Sequence, residues 1–183
     1  MKVVQGVTGA SGIVYAVRLA EELAKCGVEV TVIVSDAAKR VFASEMPGGL
    51  EALARVGRLL SEHDVEADVA SGSALFEATV ICPCSMKTLS AVANGYSYNL
   101  ICRAADVALK EHRKLVLVVR EAPLSAIHLE NMLKLARLGV TIMPASPGFY
   151  HNPKTVDDLV NHVVGKVMDA IGVKGELFRR WGN

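Results

Sequence analysis

The chain has 183 residues, with 20 basic and 19 acidic side chains and a formal net charge of +1. This length suits one α/β domain, and the balanced charge, without a basic stripe interleaved with aromatic residues, argues against a nucleic-acid partner. No apolar stretch reaches the roughly 18 residues that a membrane span needs. Met1 and Lys2 lead straight into an apolar strand rather than a signal peptide. We therefore expect a cytoplasmic protein with no membrane partner.

The four cysteines, Cys26, Cys82, Cys84 and Cys102, form no CxxC pair. Three of them lie in apolar runs, as buried free thiols do in a reducing compartment. The CxC at 82 and 84 has no second Cys/His cluster at metal spacing, so we expect no metal. Hydrophobic residues make up 51% of the chain and aromatic residues only 5%, and this surplus of aliphatic surface predicts self-association.

Strand and helix patterns alternate along the chain. In order, they predict strand 2–7, helix 13–24, strand 28–34, helix 37–44, helix 50–60, a polar loop or short edge strand 61–73, strand 78–82, helix 85–94, helix 99–111, strand 115–119, helix 125–138, strand 140–143, loop 147–153 and a long last helix ending near 171. This alternation predicts one α/β domain over 1–183, a doubly wound parallel sheet with helices on both faces. The tail, about 173–183, is expected to pack at a subunit interface.

Polar features follow the carboxyl ends of the predicted strands. They are the stretch 8–12, Ser35, the stretch 85–88, Arg120 with Glu121, and the loop 144–150. Ligands of doubly wound sheets bind beyond this edge. We therefore expect the functional site there.

The first of these features, GVTGASG at 6–12, is a glycine-rich turn into a helix. Such a turn can cradle a phosphate, although it can also be no more than a tight connection. The glycine spacing is not GxGxxG, and the chain has no P-loop GK[ST]. Farther along, Ser85, Lys87 and Thr88 open a helix, whose N-terminal N–H groups suit an anion.

Two pairs of charged residues have both a functional and a structural interpretation. Arg103 and Lys110 share one helical face, about 10.5 Å apart along the axis. They either reach one site at two different distances along the helix or form an exposed ion ladder with Asp106. Arg120 and Glu121 come directly after a buried strand. They either serve an anion and a proton transfer or form an internal ion pair that closes the strand.

Long strings of the chain resemble the flavin prenyltransferases of the UbiX type. The strings are GVTGASG, Ser35, Glu45, CPCSMKTLSAVANGYSYNLICRAADVALKE, LVLVVREAPLSAIHLENMLKLARLGVTIMPASPGFYHNP and Trp181, and only the segment 46–68 has no distinctive match. The resemblance implies a flavodoxin-like or Rossmann-like fold, a homododecamer and bound FMN. It also implies metal-independent transfer of a dimethylallyl group from dimethylallyl phosphate to N5 and C6 of reduced FMN. The product, prenylated FMN, would pass to a UbiD-type decarboxylase.

The resemblance also implies roles for individual residues. FMN would be held by Gly9, Ala10, Ser11, Ser35, Ser85, Met86, Lys87, Thr88 and Arg120. Dimethylallyl phosphate would be bound by Arg103, Lys110, Arg120, Tyr150 and Lys166. The catalytic set would be Glu45 as proton acceptor near flavin N5, Lys110, Glu121 as proton relay to the departing phosphate, and Trp181 as a π face for allyl-cation character. Lys166 stands where the family often has Arg, and a Lys binds phosphate without the bidentate fork.

Other interpretations stay open at this point. Glu45 can be a solvated residue at a helix end, Trp181 can anchor the tail, and neither His128 nor His151 receives a role. A flavin-binding cysteine decarboxylase would need a catalytic His and a substrate Asn pattern that the sequence does not place. A flavin carrier would bind FMN without needing Lys110, Glu121, Tyr150 and Lys166.

Overall fold

Apolar runs rich in β-branched residues and largely buried form the four central strands of a six-stranded parallel sheet in this computed structural model, which describes residues 1–182. The strand order is β3-β2-β1-β4-β5-β6. The strands are β1 (Lys2–Val7), β2 (Glu29–Val34), β3 (Arg58–Ser61), β4 (Ala78–Cys84), β5 (Lys114–Val119) and β6 (Thr141–Pro144). All five neighbouring pairs are parallel, as the alternation of strands and helices predicts.

Seven helices cover the two faces of the sheet. They are α1 (Ile13–Lys25), α2 (Asp36–Glu45), α3 (Gly49–Val56), α4 (Met86–Ala93), α5 (Leu100–Lys110), α6 (Ala126–Arg137) and α7 (Val156–Ile171). Alternate strand residues divide the core: Val3 packs with α1, α2, α3 and α7, whereas Val4 packs with α4, α5 and α6. The doubly wound prediction is therefore confirmed. Within residues 1–182, no helix has the length and apolar character to cross a membrane.

The predicted helix 50–60 is wrong at its end. Helix α3 stops at Val56, and Gly57 follows in an extended conformation. The next four residues pair with residues 31–34 of β2 and form the edge strand β3. A Cβ on Gly57 would lie 2.5 Å from the Val30 carbonyl oxygen, so the absent side chain lets the two backbones approach. Pairing with a neighbour 27 residues away therefore outweighs the local helical pattern.

Strands β1 and β4 are central neighbours, and their following helices lie on opposite faces of the sheet. This is the topological switch point, where the two loops separate and leave a crevice. Polar side chains begin the helices that leave this edge. Ser35, Ser85 and Asn99 accept hydrogen bonds from the first turns of α2, α4 and α5. The fold thus brings several polar helix starts around one opening.

All four cysteines are free thiols, and only Cys26 is exposed. Burial raises the pKa of the Cys82 and Cys84 thiols far above the usual range, and it raises that of Cys102 to about 11. Because the thiolate is the reactive form, we expect Ellman's reagent at pH 8 to titrate one thiol in the native protein and four after unfolding. A Cys26→Ser variant should lose the native reaction. Two or more rapidly reacting thiols in the folded wild type would contradict the burial of the CxC pair.

Candidate functional site

A cavity of about 250 Å³, called here the strand-end cleft, opens at the carboxyl ends of β1, β2 and β4. Its lining residues are Thr8, Gly9, Ser35, Ala37, Glu62, Ser85, Lys87, Thr88, Tyr98 and Asn99. Eight of these ten residues have polar or charged side chains, and the lining comes from five different segments of the chain. Three of the five predicted polar features, the stretch 8–12, Ser35 and the stretch 85–88, therefore meet in this cleft, whereas Arg120, Glu121 and the loop 144–150 do not line it.

Thr8 ties the turn after β1 to the turn after β4. Its hydroxyl donates to the Pro83 carbonyl at 2.7 Å and accepts from the Ser85 N–H at 2.8 Å. Ser35, at the start of α2, accepts from the Ala38 N–H at 3.0 Å, so its own hydroxyl proton stays available to a ligand. Thr8 was predicted only as part of the polar stretch 8–12, with no role of its own. A Thr followed directly by the predicted Gly9 turn is the local signal that could have identified it.

Gly9 allows the glycine-rich turn to approach α2 closely. A Cβ at this position would lie 2.5 Å from the Cβ of Ala37. Ala10 is buried beside it, whereas Ser11 is exposed. A second, open cavity of about 410 Å³ continues past this turn, and it is lined by Gly9, Ser11, Ala37, Arg40, Val41, Ser44 and Glu45. Arg40 supplies a positive charge there that the sequence analysis missed.

Glu45, at the end of α2, binds the beginning of α1. Its carboxylate accepts from the backbone N–H groups of Gly12 at 2.9 Å and Ile13 at 3.1 Å, where the helix dipole favours an anion. Burial raises its pKa, but hydrogen bonds from Ser11, Gly12 and Ile13 and the charge of Arg120 outweigh this and lower it. Glu45 is therefore an ionised helix cap, not merely a solvated helix end.

Arg120 follows β5 and is held by a backbone hydrogen bond from its N–H to the Cys84 carbonyl at 3.3 Å. Its Nε is buried and has no hydrogen-bond partner among residues 1–182. An unpaired guanidinium N–H at this edge of the sheet is suited to an anion. Glu121 is exposed, and its carboxylate accepts from the Ala122 N–H at 3.0 Å. No ion pair joins Arg120 to Glu121 in the part of the chain that the structure describes.

Glu62 holds the floor of the cleft together. Its carboxylate accepts from the Asp36 N–H at 2.7 Å and from the Asn99 side-chain amide. Asn99 in turn caps α5 by accepting from the Cys102 N–H at 2.9 Å. Glu62, Asp36 and His63 also bring ligand atoms within 4.8 Å of one another, but hydrogen bonds inside the group already use the carboxylates. Glu62 was not predicted, and it lies in the segment without a distinctive family match.

Lys87 and Met86 take different positions at the start of α4. Lys87 is exposed, and its Nζ lies 4.8 Å from the centroid of the Tyr98 ring, a cation–π contact at the mouth of the cleft. Met86 is half-buried and packs against the core on the α4 side of the sheet. Thr88 is buried and lines the cleft. The predicted stretch 85–88 therefore gives the cleft polar groups and a cation, while the Met86 side chain packs against the core.

An aromatic wall stands beside the end of β6, formed by Tyr150, His151, His162, Phe178 and Trp181. The rings of Tyr150 and Trp181 meet edge to face, with centroids 5.5 Å apart, and Trp181 is 80% exposed. A neighbouring cavity of about 300 Å³ is lined by Met143, Pro144, Ser146, His162, Val163 and Lys166. The predicted residues Tyr150, Lys166 and Trp181 therefore share one region, with a cation at one side and aromatic rings at the other.

The tail reaches this region because it is fastened to α7. Arg180 pairs with Asp169 through two hydrogen bonds of 2.8 Å each, a bidentate ion pair. A Cβ on Gly165 would lie 2.6 Å from the Phe178 ring, so this glycine makes the space in which Phe178 packs. The Trp181 ring is thereby brought to Tyr150.

Arg103 and Lys110 do not reach the strand-end cleft of their own chain. Arg103 pairs with Asp106 at 2.6 Å and donates to the Ala70 carbonyl at 2.9 Å, as in the predicted ion ladder. Lys110 instead pairs with Glu111, and it lies at the opposite end of α5, about 15 Å from Leu100 along the helix axis. The prediction that both approach one site is therefore not met within a single chain.

Comparisons with known proteins agree with this geometry. A family model described as Flavoprotein matches residues 1–168. The flavin prenyltransferase UbiX of Methanocaldococcus jannaschii is 50% identical over 183 residues, covering 100% of this chain and 99% of the relative. The flavin prenyltransferase UbiX of Pseudomonas aeruginosa is 48% identical, covering 99% of this chain and 94% of the relative.

Solved structures give the same answer. A complex of AnUbiX (PadA1) with FMN and dimethylallyl pyrophosphate superposes with a TM-score of 0.97 at 36% identity, covering 100% of this chain and 97% of the other. A dodecameric FMN-dependent UbiX-like decarboxylase from Escherichia coli O157:H7 gives 0.96 at 44% identity, with full coverage of both chains. A peptidyl-cysteine decarboxylase, at 18% identity and a TM-score of 0.66, shares the fold alone. The cleft, the aromatic wall and these matches over the whole chain lead to one conclusion: this chain belongs to the UbiX family of flavin prenyltransferases.

Proposed function

We propose that this protein is a flavin prenyltransferase that joins the dimethylallyl group of dimethylallyl monophosphate to N5 and C6 of reduced FMN, giving prenylated FMN. One observation carries the proposal: an anion-binding strand-end cleft lies at the same edge of the sheet as an aromatic wall with its own cation, Lys166. A flavin carrier would need only the cleft. The full-length relatives named as flavin prenyltransferases support the same reaction.

The residues present fit FMN. Gly9 and the starts of α2 and α4 line the cleft with helix N-termini that suit a phosphate, and Ser35 offers a hydroxyl proton there. The buried, unpaired Nε of Arg120 needs an acceptor. Lys87 and Thr88 would complete the contacts to FMN. When bound and reduced, FMN supplies the nucleophile.

The aromatic wall would receive the prenyl donor. Lys166 and Arg120 are the cations that would neutralise its phosphate, and the hydroxyl of Tyr150 would be a neutral donor to it. Trp181 presents an exposed ring face that would stabilise positive charge on the allyl group as the phosphate departs. Glu121 would pass a proton to that phosphate, and ionised Glu45 would accept the proton released on the flavin side.

We also propose that the active protein is a homo-oligomer, and a dodecamer by analogy with the relative from Escherichia coli. Ile127, Leu129 and Leu133 are exposed along α6, which suits burial against a second copy. Arg103 and Lys110 lie on the outside of α5, away from the cleft of their own chain, so they would serve the phosphate site of a neighbouring copy. Trp181 and the tail would also lie at such an interface.

We propose that the product passes to a UbiD-type decarboxylase. The reason is that the product is a modified flavin cofactor, which another enzyme would use. A cytoplasmic location remains our prediction, and the four free thiols favour it.

The proposed reaction has a direct test. We expect the purified protein, incubated without oxygen with reduced FMN and dimethylallyl monophosphate, to release a flavin heavier by one C5H8 unit. Mass spectrometry of the released flavin measures this gain. Unchanged FMN from a protein that binds FMN, with the diphosphate also tried, would rule out the transferase and favour a carrier or a decarboxylase.

A further inference from the structure

His162 lies at the centre of the aromatic wall and is 7% exposed. It stands on α7 one turn before Lys166, so both residues face the cavity at the end of β6. Its ring stacks on His151 with centroids 5.0 Å apart, and Phe178 covers it at 4.7 Å. This packing holds the imidazole in one orientation.

The hydrogen bonds of His162 determine which nitrogen carries its proton. The Gly148 backbone N–H donates to Nδ1 at 3.2 Å. Nδ1 therefore accepts with its lone pair and carries no hydrogen. A neutral imidazole with an acceptor Nδ1 carries its proton on Nε2. The Nε2 atom lies 3.2 Å from the Tyr150 hydroxyl oxygen. The Nε2–H group therefore donates to Tyr150.

This direction leaves the proton of Tyr150 available for a ligand. A hydroxyl oxygen that accepts from His162 still has its own O–H to donate elsewhere. Tyr150 is 45% exposed, beside Trp181 and the cavity that Lys166 lines. Both ring nitrogens of His162 are already engaged, so a direct bond from His162 to a ligand would break one of these contacts.

We propose that His162 is a positioning residue that fixes the Tyr150 hydroxyl as a hydrogen-bond donor to the phosphate of the prenyl donor. This inference rests on the proposed function, because that function places the phosphate at Tyr150. Burial, with the nearby charges of His151 and Lys166, lowers the pKa of His162, which keeps the ring neutral at pH 7.5 as the acceptor role of Nδ1 requires.

The competing interpretation is that His162 only fills space between His151 and Phe178. Two variants separate the interpretations. His162→Phe keeps an aromatic ring of similar size and removes both nitrogens, whereas His162→Gln retains an N–H donor near the position of Nε2. A double variant of His162→Phe with Tyr150→Phe tests whether the two residues act through one hydrogen bond.

We expect His162→Phe to raise the KM for dimethylallyl monophosphate roughly tenfold, the effect of one hydrogen bond to a charged group, with little change in FMN affinity. His162→Gln should recover most of this loss, and the double variant should be no worse than Tyr150→Phe alone. Additive losses in the double variant, or a loss of FMN affinity in His162→Phe, would show that the residue acts through packing and would overturn the proposal.

A second measurement does not depend on turnover. Nitrogen-15 NMR of histidine-labelled protein at pH 7.5 should show the His162 signals of a neutral ring with hydrogen on Nε2. Hydrogen on Nδ1, or a cationic ring, would overturn the proposal even if the enzyme is active. If wild type makes no prenylated FMN but the Nε2–H form is found, the proposed function has failed and the hydrogen-bond direction stands.

Discussion

We expect the Glu121→Gln variant to lose roughly 100- to 10,000-fold in turnover, the usual contribution of a positioned general acid, and to keep its affinity for FMN. Glu121 follows β5 directly and is exposed, with one carboxylate oxygen bound to the Ala122 N–H. Glutamine has the same size and can make that bond, so the change removes the ionisable carboxyl group and little else. Single-turnover formation of prenylated FMN measures the chemical step, and flavin fluorescence measures binding.

Glu29→Gln is the matched control for this experiment. Glu29 lies at the amino end of β2 and pairs with Lys2 at 3.0 Å, at the edge of the sheet opposite the cleft. This variant should turn over like wild type. If Glu121→Gln turns over as fast as wild type, Glu121 transfers no proton. The proton on the departing phosphate must then come from another group. If it loses FMN instead, the carboxylate has a binding role.

The second large effect is recovery of activity in mixed oligomers. Lys110→Ala and Glu121→Gln should each be nearly inactive alone. The two variants are co-expressed with different tags, and the mixed oligomers are purified by both tags in turn. If the copies assemble at random, these oligomers should recover roughly a quarter of wild-type turnover, because half of the sites have an intact Glu121 and half of those also have an intact Lys110. The reason is geometric, since Lys110 lies about 15 Å along α5 from the cleft end of its own chain. A Glu121→Gln copy still presents an intact Lys110 to the intact cleft of its neighbour.

The control mixture combines Glu121→Gln with Tyr150→Phe. In the proposed site, Glu121 and Tyr150 come from the same chain, so every site in the mixture would carry one defect and activity should not recover. Mixed Lys110→Ala and Glu121→Gln oligomers that assemble normally but stay inactive would contradict a shared site. Lys110 would then act only on the stability of its own chain, through its ion pair with Glu111.

Features encoded by neighbouring residues could be predicted from the sequence. Ser35 and Ser85 each stand between an apolar strand and a helical pattern, and both prove to cap the helix that follows. The strand order then brings these local signals to one edge. The same reasoning located Arg120, which directly follows β5, and Gly9, which lies two residues after β1.

Features that depend on distant partners could not be predicted in this way. Glu62 and Asn99 are 37 residues apart, and nothing local in either segment indicates their hydrogen bond. The spacing of Arg103 and Lys110 shows that they share a helix face, but it does not show toward which edge of the sheet each lies. His162 was missed because its partners, Gly148 and Tyr150, lie on a loop whose path the sequence pattern does not fix.

The pairing of the first and last helices has a consequence for biosynthesis. Arg18 on α1 donates to Asn161 on α7 at 2.8 Å, across 143 residues of sequence, and α1 and α7 pack on the same face of the sheet. During translation, the part of α1 that packs against α7 therefore remains uncovered until almost the entire chain has left the ribosome. Such exposed surfaces promote aggregation, so we expect nascent chains of this protein to depend on chaperones. Messenger RNAs that end before the α7 codons should yield insoluble fragments and no partly active enzyme.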